Sequence, residues 1–243
     1  MKTKLSASRA LVDDLVAASR ILAEHGVLDA YGHVSARSDR RPERFVMSRS
    51  LAPALVTAAD LMELDAESEP LAGDKRKGFI ERYIHGEIYR ARPEVMAVVH
   101  SHSPSVIPFG VTRTKLRPIY HMGSFLWSGA PVFDIRKVRE QNDLLIRDNP
   151  LGKALADSLG ACNCVLMRGH GMTVIGDSVP EAVFRAIYTE MNARLQLHAT
   201  QLEGPIEFLS DEEGRRSTAA NRGTLERPWE LWKRSAAGAR RRS

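Results

Sequence analysis

Residues 95–103, VMAVVHSHS, predict an apolar β-strand that ends in polar residues. The segment before it, FIERYIHGEIYRA (79–91), has the pattern of a helix, and Arg92-Pro93 stops it. Because only a short turn joins the helix to the strand, we expect the two to pack antiparallel. A helix packed against an apolar strand is typical of an α/β domain.

The rest of the chain also mixes helices and strands. Further helices are predicted at 8–25, 151–160 and 178–203 and in TLERPWELWKRS, with Ser178 as the N-cap of the longest one. Short strands are predicted at 31–37, 44–48, 164–168 and 172–175, at the end of TAADLMELD and in PVFDI. Residues 104–140 are expected to mix short strands and turns, and a polar segment is expected after Gly204. With 243 residues, 43% hydrophobic and 27% charged, the composition fits one globular domain with a tail.

The charge balance and the cysteines limit the class of protein. The formal net charge of +5 equals the five basic side chains of residues 233–243, so the remainder is neutral overall. A basic tail can touch nucleic acid, but we favour a solvated end and expect no nucleic-acid partner. Cys162 and Cys164 cannot form a disulfide framework, which fits a reducing cytoplasm. We expect neither a membrane span nor a secretory signal, since no apolar stretch is long enough and acids interrupt the N-terminal one.

Three histidines are candidate metal ligands. His100 and His102 alternate on a strand and therefore point to the same side, where two imidazoles suit one divalent metal. His170 lies in a turn between Gly169 and Gly171, and it would supply a third ligand while leaving a position open for substrate. The alternatives are a polar strand end hydrogen-bonded to nearby loops and an ordinary turn histidine.

A carboxyl is expected near these histidines. Glu81 lies near the start of the helix that precedes the histidine strand, and antiparallel packing brings that end toward the end of the strand. A carboxyl beside a metal can move protons. Alternatively, Glu81 and His85, four residues apart on one helix face, form a solvated pair.

These motifs together resemble the class II aldolase/adducin family. The segment ERYIHGEIYRARPEVMAVVHSH matches the family's Glu-to-His-x-His segment without a gap, and RGHG is followed by a long helix. The resemblance runs from about residue 8 to residue 213. We therefore expect a family domain at 1–213 and a C-terminal helix and basic tail at 214–243.

The resemblance implies a three-layer α/β/α fold around a mostly antiparallel sheet, and a cyclic homotetramer with active sites between subunits. It implies a proton-transfer role for Glu81. His121 occupies the place of a family tyrosine that donates a proton from the neighbouring subunit, and Tyr120 stands beside it. The implied ligands of one divalent metal ion per subunit, zinc or manganese, are His100, His102 and His170.

The family's phosphate-binding segments are altered here. In place of G-N-V-S, T-P-x-G and Ser-Ser, the chain has Gly32-His33-Val34-Ser35, Ser48-Arg49-Ser50 and Phe79-Ile80. The loss of small donors argues against a phosphate, and the apolar pair favours a flat, apolar substrate. A guanidinium can hold a carboxylate in a bidentate contact, although Arg49 could equally be a surface turn charge. The candidate substrate-binding residues are His33, Ser48, Arg49 and Ser50.

Within the family, the segments RGHGM and HMGSFLWSGAPVFDI resemble those of decarboxylases of hydroxylated aromatic acids. The resemblance implies a metal-dependent carbon–carbon lyase, most simply a decarboxylase of a dihydroxyphthalate- or dihydroxybenzoate-like acid in aromatic catabolism. One alternative is an aldolase that cleaves a hydroxy-carbonyl compound or a sugar phosphate. A second is a non-enzymatic, adducin-like scaffold, which the presence of all three histidine ligands disfavours.

Overall fold

The computed structural model describes residues 5–239 and is built on one seven-stranded sheet. Its strands are β1 (His33–Arg37), β2 (Phe45–Ser48), β3 (Leu61–Leu64), β4 (Ala97–Ser101), β5 (Val132–Phe133), β6 (Cys164–Met167) and β7 (Gly171–Gly176). The strand order is β3-β2-β1-β4-β7-β6-β5, and all neighbours are antiparallel except β5 and β6. The histidine strand β4 is therefore the central strand.

Seven α-helices accompany the sheet in the described part of the chain. They are α1 (Arg9–Glu24), α2 (Arg82–Ala91), α3 (Ile107–Val111), α4 (Asn149–Leu159), α5 (Val179–Ala199), α6 (Asp211–Arg222) and α7 (Glu226–Ala239). Short 3₁₀ helices occur at Pro53–Leu55, Ala58–Asp60, His121–Ser128 and Ile135–Lys137. No helix among the described residues is both long and apolar enough to cross a bilayer.

Two apolar clusters divide the molecule into three layers. Leu15 of α1 and Val99 of β4 belong to one cluster, to which α5 and α7 also contribute. Ile84 of α2, Leu155 of α4 and Val98 of β4 belong to the other. Because neighbouring residues of a strand point to opposite faces, β4 contributes to both clusters. The expected three-layer α/β/α architecture around a mostly antiparallel sheet is confirmed.

The strand register decides which polar side chains meet. His100 lies two residues after Val98 on β4, so the two side chains point to the same face of the sheet. This is the face that α2 and α4 cover. On β1, His33 lies opposite His100 and Ser35 lies opposite Val98. Cross-strand partners point to the same face, and α2 therefore covers a row of polar groups there.

The largest departures from the sequence-based expectation follow residue 104. The segment His121–Ser128 is a 3₁₀ helix rather than strands and turns. The polar segment after Gly204 contains a helix, α6, which begins with a capping box between Ser210 and Glu213. The buried residue of α6 is Gly214, which packs against Trp127. Because this helix buries a glycine and no stripe of apolar side chains, apolar periodicity could not identify it.

The C-terminal helix packs on the domain. Trp229 and Trp232 of α7 are buried in the cluster that α1 and α5 share. The expected division after residue 213 falls within α6. The basic residues Arg240, Arg241 and Arg242, on which the expectation of a solvated tail partly rests, lie outside the described residues.

The close approach of β4 and β7 requires glycine at residue 171. A Cβ on Gly171 would collide with the main-chain carbonyl of Ser101 and lie 3.0 Å from the Cα of His102. We predict that Gly171→Ala lowers the free energy of unfolding by roughly 1–3 kcal/mol, the usual cost of overpacking. Urea denaturation followed by circular dichroism would measure the loss.

A matched control is Gly238→Ala. Gly238 lies in α7, and a Cβ there would meet nothing within 4 Å. Alanine should stabilise that helix by at most about 1 kcal/mol. Equal stability of the Gly171→Ala variant and the unchanged protein would contradict the proposed backbone contact.

Candidate metal centre

Four side chains converge where β4 ends. His100 is on β4, His102 follows it, His170 lies in the turn between β6 and β7, and Glu81 immediately precedes α2. One potential ligand atom from each lies within 4.8 Å of those of the others. Glu81 reaches the strand end because α2 packs against β4, as antiparallel packing predicts.

Main-chain carbonyls orient two of the rings. His100 Nδ1 lies 3.1 Å from the carbonyl oxygen of Met172, and His170 Nδ1 lies 2.9 Å from that of Leu144. A carbonyl can only accept, so each Nδ1–H donates, and in the neutral form of each ring Nε2 keeps its lone pair for a ligand. His100 Nε2 is buried and has no hydrogen-bond partner in the described structure.

The Nε2 atoms of His102 and His170 lie 3.1 Å apart. Nδ1 of His102 lies 3.7 Å from a carboxylate oxygen of Asp29. Burial and the neighbouring imidazoles His100 and His170 lower the pKa of His102 and favour the neutral ring, which is the form that binds metals.

The carboxyl of Glu81 is only 7% exposed. Burial alone would raise the pKa of this carboxyl, but His100 and His170 more than offset burial and hold the pKa well below its ordinary value. Oε2 of Glu81 lies 3.4 Å from Nε2 of both rings, and Oε1 accepts a hydrogen bond of 3.0 Å from the main-chain N–H of Ile146. For His170, burial lowers the pKa, but the contact with Glu81 raises it more, and the net shift is upward.

This donor set fits a divalent cation. Lone pairs of neighbouring imidazoles and a carboxylate converge, and they would repel one another unless a proton or a cation lay between them. Three imidazole nitrogens with a carboxylate suit zinc or manganese and leave room for a substrate oxygen. The orphaned, buried Nε2 of His100 has the same explanation.

Sequence reasoning missed the loop that supports this cluster. The main-chain carbonyl of Leu144 accepts a hydrogen bond from His170, and the main-chain N–H of Ile146 donates one to Glu81. Leu144 has φ 68°, a left-handed conformation that is costly for a branched side chain. The loop therefore holds a strained backbone where it orients both groups, and no local sequence signal indicates this.

A cavity of about 440 Å³ opens next to the cluster. Glu81, His100 and His102 form its polar end. Its apolar and aromatic wall consists of Tyr31, Leu51, Phe79, Ile80 and Leu145. A cavity of similar size, about 450 Å³, lies elsewhere beside Trp127 and Pro131 and includes none of the four clustered side chains.

The predicted substrate-binding residues separate into two groups. His33 and Ser50 line the cavity. Ser48 and Arg49 are not among the described residues that line it, and Arg49 Nε instead donates to Asp60 at 2.8 Å.

Among the described residues that line the cavity, Lys77 is the one Lys or Arg. Sequence reasoning did not single it out. The side chain of Lys77 is exposed, and it forms no ion pair within the described part of the chain. It is therefore available to an anionic group of a ligand.

Two further predicted residues lie apart from the cavity within this protomer. Tyr120 and His121 stand at the start of a 3₁₀ helix and do not belong to the described cavity lining. The Tyr120 hydroxyl is buried and has no hydrogen-bond partner within residues 5–239, and burial raises its pKa. His121 is exposed.

His85 does not form a solvated pair with Glu81. Its ring is fully buried and hydrogen-bonds to His33 and Ser35. Burial, with His100 as the next cause, lowers the pKa of His85 to about 3, so the ring is neutral.

We predict that His102→Ala weakens binding of zinc or manganese by more than the roughly 10–100-fold that follows loss of an outer partner. His102 is half-buried and follows the strand, so its removal should leave the fold intact. Elemental analysis after dialysis against a weak chelator would measure the retained metal.

His198→Ala is the matched control, because His198 is exposed on α5 and is not part of the cluster. It should retain as much metal as the unchanged protein. Equal metal content in the His102→Ala variant would contradict the ligand assignment.

Comparison with known proteins agrees with the fold. The profile of the family "Class II Aldolase and Adducin N-terminal domain" matches residues 13–197. The chain is 42% identical to "Decarboxylase tropJ" of Talaromyces stipitatus, with 92% of each chain covered. It is 34% identical to a 3,4-dihydroxyphthalate decarboxylase of a Terrabacter species, with 82% of this chain and 84% of the relative covered.

A solved structure shows the same fold. The L-fuculose 1-phosphate aldolase of Glaciozyma antarctica superposes with a TM-score of 0.77 at 21% identity, over 98% of this chain and 94% of the other. Relatives that are decarboxylases and a fold shared with aldolases support a lyase. The chain belongs to the class II aldolase/adducin family.

Proposed function

We propose that the protein is a divalent-metal-dependent decarboxylase of a hydroxylated aromatic carboxylic acid, of the dihydroxyphthalate or dihydroxybenzoate type. The observation that carries the proposal is the cavity, which joins the imidazole–carboxylate cluster to an aromatic and aliphatic wall. The cavity also includes a cation, Lys77, that forms no ion pair with any described residue. The activities named for two relatives support the same reaction class. A role in aromatic catabolism in the cytoplasm is part of this proposal.

The wall of the cavity suits a planar ring. Phe79 and Ile80 stand where sugar-phosphate aldolases of the family have two serines, and Tyr31, 70% exposed, stands at the rim with its ring 6.3 Å from that of His102. An aromatic acid needs an apolar surface and a cation for the carboxylate that stays on the ring. We assign the cation to Lys77, because Arg49 is paired with Asp60.

When bound, a divalent ion held by His100, His102 and His170 supplies stabilisation of the negative charge that develops as the carbon–carbon bond breaks. Glu81, ionised and aimed into the cluster, takes the proton of a ring hydroxyl on Oε2 and delivers it to the carbon that bears the leaving carboxylate. That carbon becomes tetrahedral, and carbon dioxide then departs. The bonding electrons return to the ring, and a proton from solvent restores the hydroxyl.

A second proton donor is proposed from a neighbouring copy. Tyr120 and His121 do not reach the cavity of their own protomer. In a homo-oligomer, most simply a tetramer with active sites between subunits, His121 of an adjacent copy would supply the ring proton in place of Glu81. Size-exclusion chromatography with light scattering would test the assembly.

The product decides the reaction class. We expect the protein, loaded with manganese or zinc, to release carbon dioxide from 3,4-dihydroxyphthalate or 2,3-dihydroxybenzoate, measured by gas analysis and by chromatography of the decarboxylated ring. The His102→Ala variant is the matched control and should release none. Cleavage of L-fuculose 1-phosphate to an aldehyde without turnover of any aromatic acid would identify an aldolase instead.

Substitution of the cavity cation should affect binding more than chemistry. A carboxylate that stays on the ring is held equally before and during the reaction, so Lys77→Ala should raise KM by roughly 10–100-fold and leave kcat nearly unchanged. Arg49→Ala, which removes a cation paired outside the cavity, is the control and should alter KM little. A larger increase in KM for Arg49→Ala than for Lys77→Ala would indicate that Arg49 binds the carboxylate instead.

A further inference from the structure

A chain of four buried polar side chains leads from the cavity into the core. His33 Nδ1 lies 2.7 Å from His85 Nε2, and His85 Nδ1 lies 2.6 Å from Ser35 Oγ. Ser35 Oγ in turn lies 2.8 Å from the hydroxyl of Tyr89. All four residues are between 0 and 5% exposed.

The fold aligns these groups as two facing pairs. His33 and Ser35 alternate on β1 and point toward α2, while His85 and Tyr89 are four residues apart on α2 and lie on one helix face. Each β1 side chain therefore meets a partner on the helix. Of the four, only His33 lines the cavity.

The end of the chain at Tyr89 determines the direction of its hydrogen bonds. Ser35 Oγ is the side-chain partner of the Tyr89 hydroxyl within the described residues. Burial raises the pKa of Tyr89, so the phenol keeps its hydrogen. The hydroxyl hydrogen of Tyr89 must therefore go to Ser35, since a buried donor without an acceptor is costly.

The remaining hydrogens follow in order. Ser35 accepts from Tyr89, so its own hydrogen goes to Nδ1 of His85. His85 is neutral and then carries its proton on Nε2, which donates to Nδ1 of His33. In the reverse direction the hydrogen of Tyr89 would have no acceptor among these groups. Because Nδ1 of His33 accepts, this ring is neutral and carries its proton on Nε2, the nitrogen left for a ligand.

We propose that Tyr89, Ser35 and His85 act as positioning residues that lock His33 in the Nε2–H tautomer, so that His33 donates a hydrogen bond to an oxygen of the substrate in the cavity. His33 thereby selects a substrate with an acceptor, a carboxylate or ionised hydroxyl oxygen, at this point. The assignment of a substrate oxygen as the acceptor rests on the proposed function, whereas the tautomer of His33 does not depend on it.

The tautomer is measured by nitrogen-15 NMR of the full chain labelled in its histidines and loaded with zinc. The two neutral tautomers have distinct ring-nitrogen shifts, and the His33→Gln variant, which lacks the His33 signals, assigns them. We expect the Nε2–H form of His33 in the unchanged protein. The Nδ1–H form would overturn the proposal, whatever the enzyme does with any substrate.

Addition of 3,4-dihydroxyphthalate tests the contact with substrate. We expect the His33 Nε2 and proton signals to shift as the hydrogen bond forms. A bound probe that leaves them unchanged would overturn the donor role. Failure of the protein to decarboxylate any aromatic acid would count against the proposed function and leave the tautomer result standing.

Variants at His85 separate positioning from packing. His85→Gln retains an amide that can donate to His33 and an oxygen that can accept from Ser35, whereas His85→Leu retains neither. We expect a KM for 3,4-dihydroxyphthalate near that of the unchanged protein with Gln, and roughly 10–100-fold higher with Leu. Equal KM values for the two variants, with His33 in the same tautomer in both, would overturn the positioning role.

Discussion

Two imidazole nitrogens, on His102 and His170, face each other across 3.1 Å, and Oε2 of Glu81 approaches the second ring within 3.4 Å. Groups that carry lone pairs or negative charge do not gather in this way without something positive between them. Much of the surrounding structure serves to hold these atoms in place. Carbonyls fix the tautomers of His100 and His170, an amide fixes Glu81, and the strained residue Leu144 supplies one of those carbonyls.

The sheet makes this convergence possible. Antiparallel pairing places the end of β4 next to the start of β7, so the ring of His170 meets those of His100 and His102. The same pairing on the other side places β1 beside β4, with His33 opposite His100. The helix α2 covers this face. Glu81, at its N-terminal end, belongs to the imidazole–carboxylate cluster, and His85 within it belongs to the row of hydrogen-bonded side chains that begins at His33. A bound cation should therefore also stabilise the fold.

The sequence was informative where the spacing of side chains within one element gave the signal. Alternation of His100 and His102 predicted their common side, and the short connection from helix to strand predicted the approach of Glu81. The chain from His33 to Tyr89 was not predicted, because it depends on the register between β1 and a helix some fifty residues away. The pairing of Arg49 and Asp60 depends likewise on packing between segments. The polar helix α6 lacks an apolar stripe, so its caps were the only signal.

The central claim is that one divalent cation lies between His100, His102 and His170 with Glu81 beside it. Anomalous diffraction from crystals of the zinc-loaded protein, recorded on both sides of the zinc absorption edge, tests it most directly. The account predicts a single peak per chain at about 2.0–2.1 Å from Nε2 of each of the three histidines. A protein that binds zinc elsewhere, or that shows no peak at these nitrogens when saturated with metal, would contradict it.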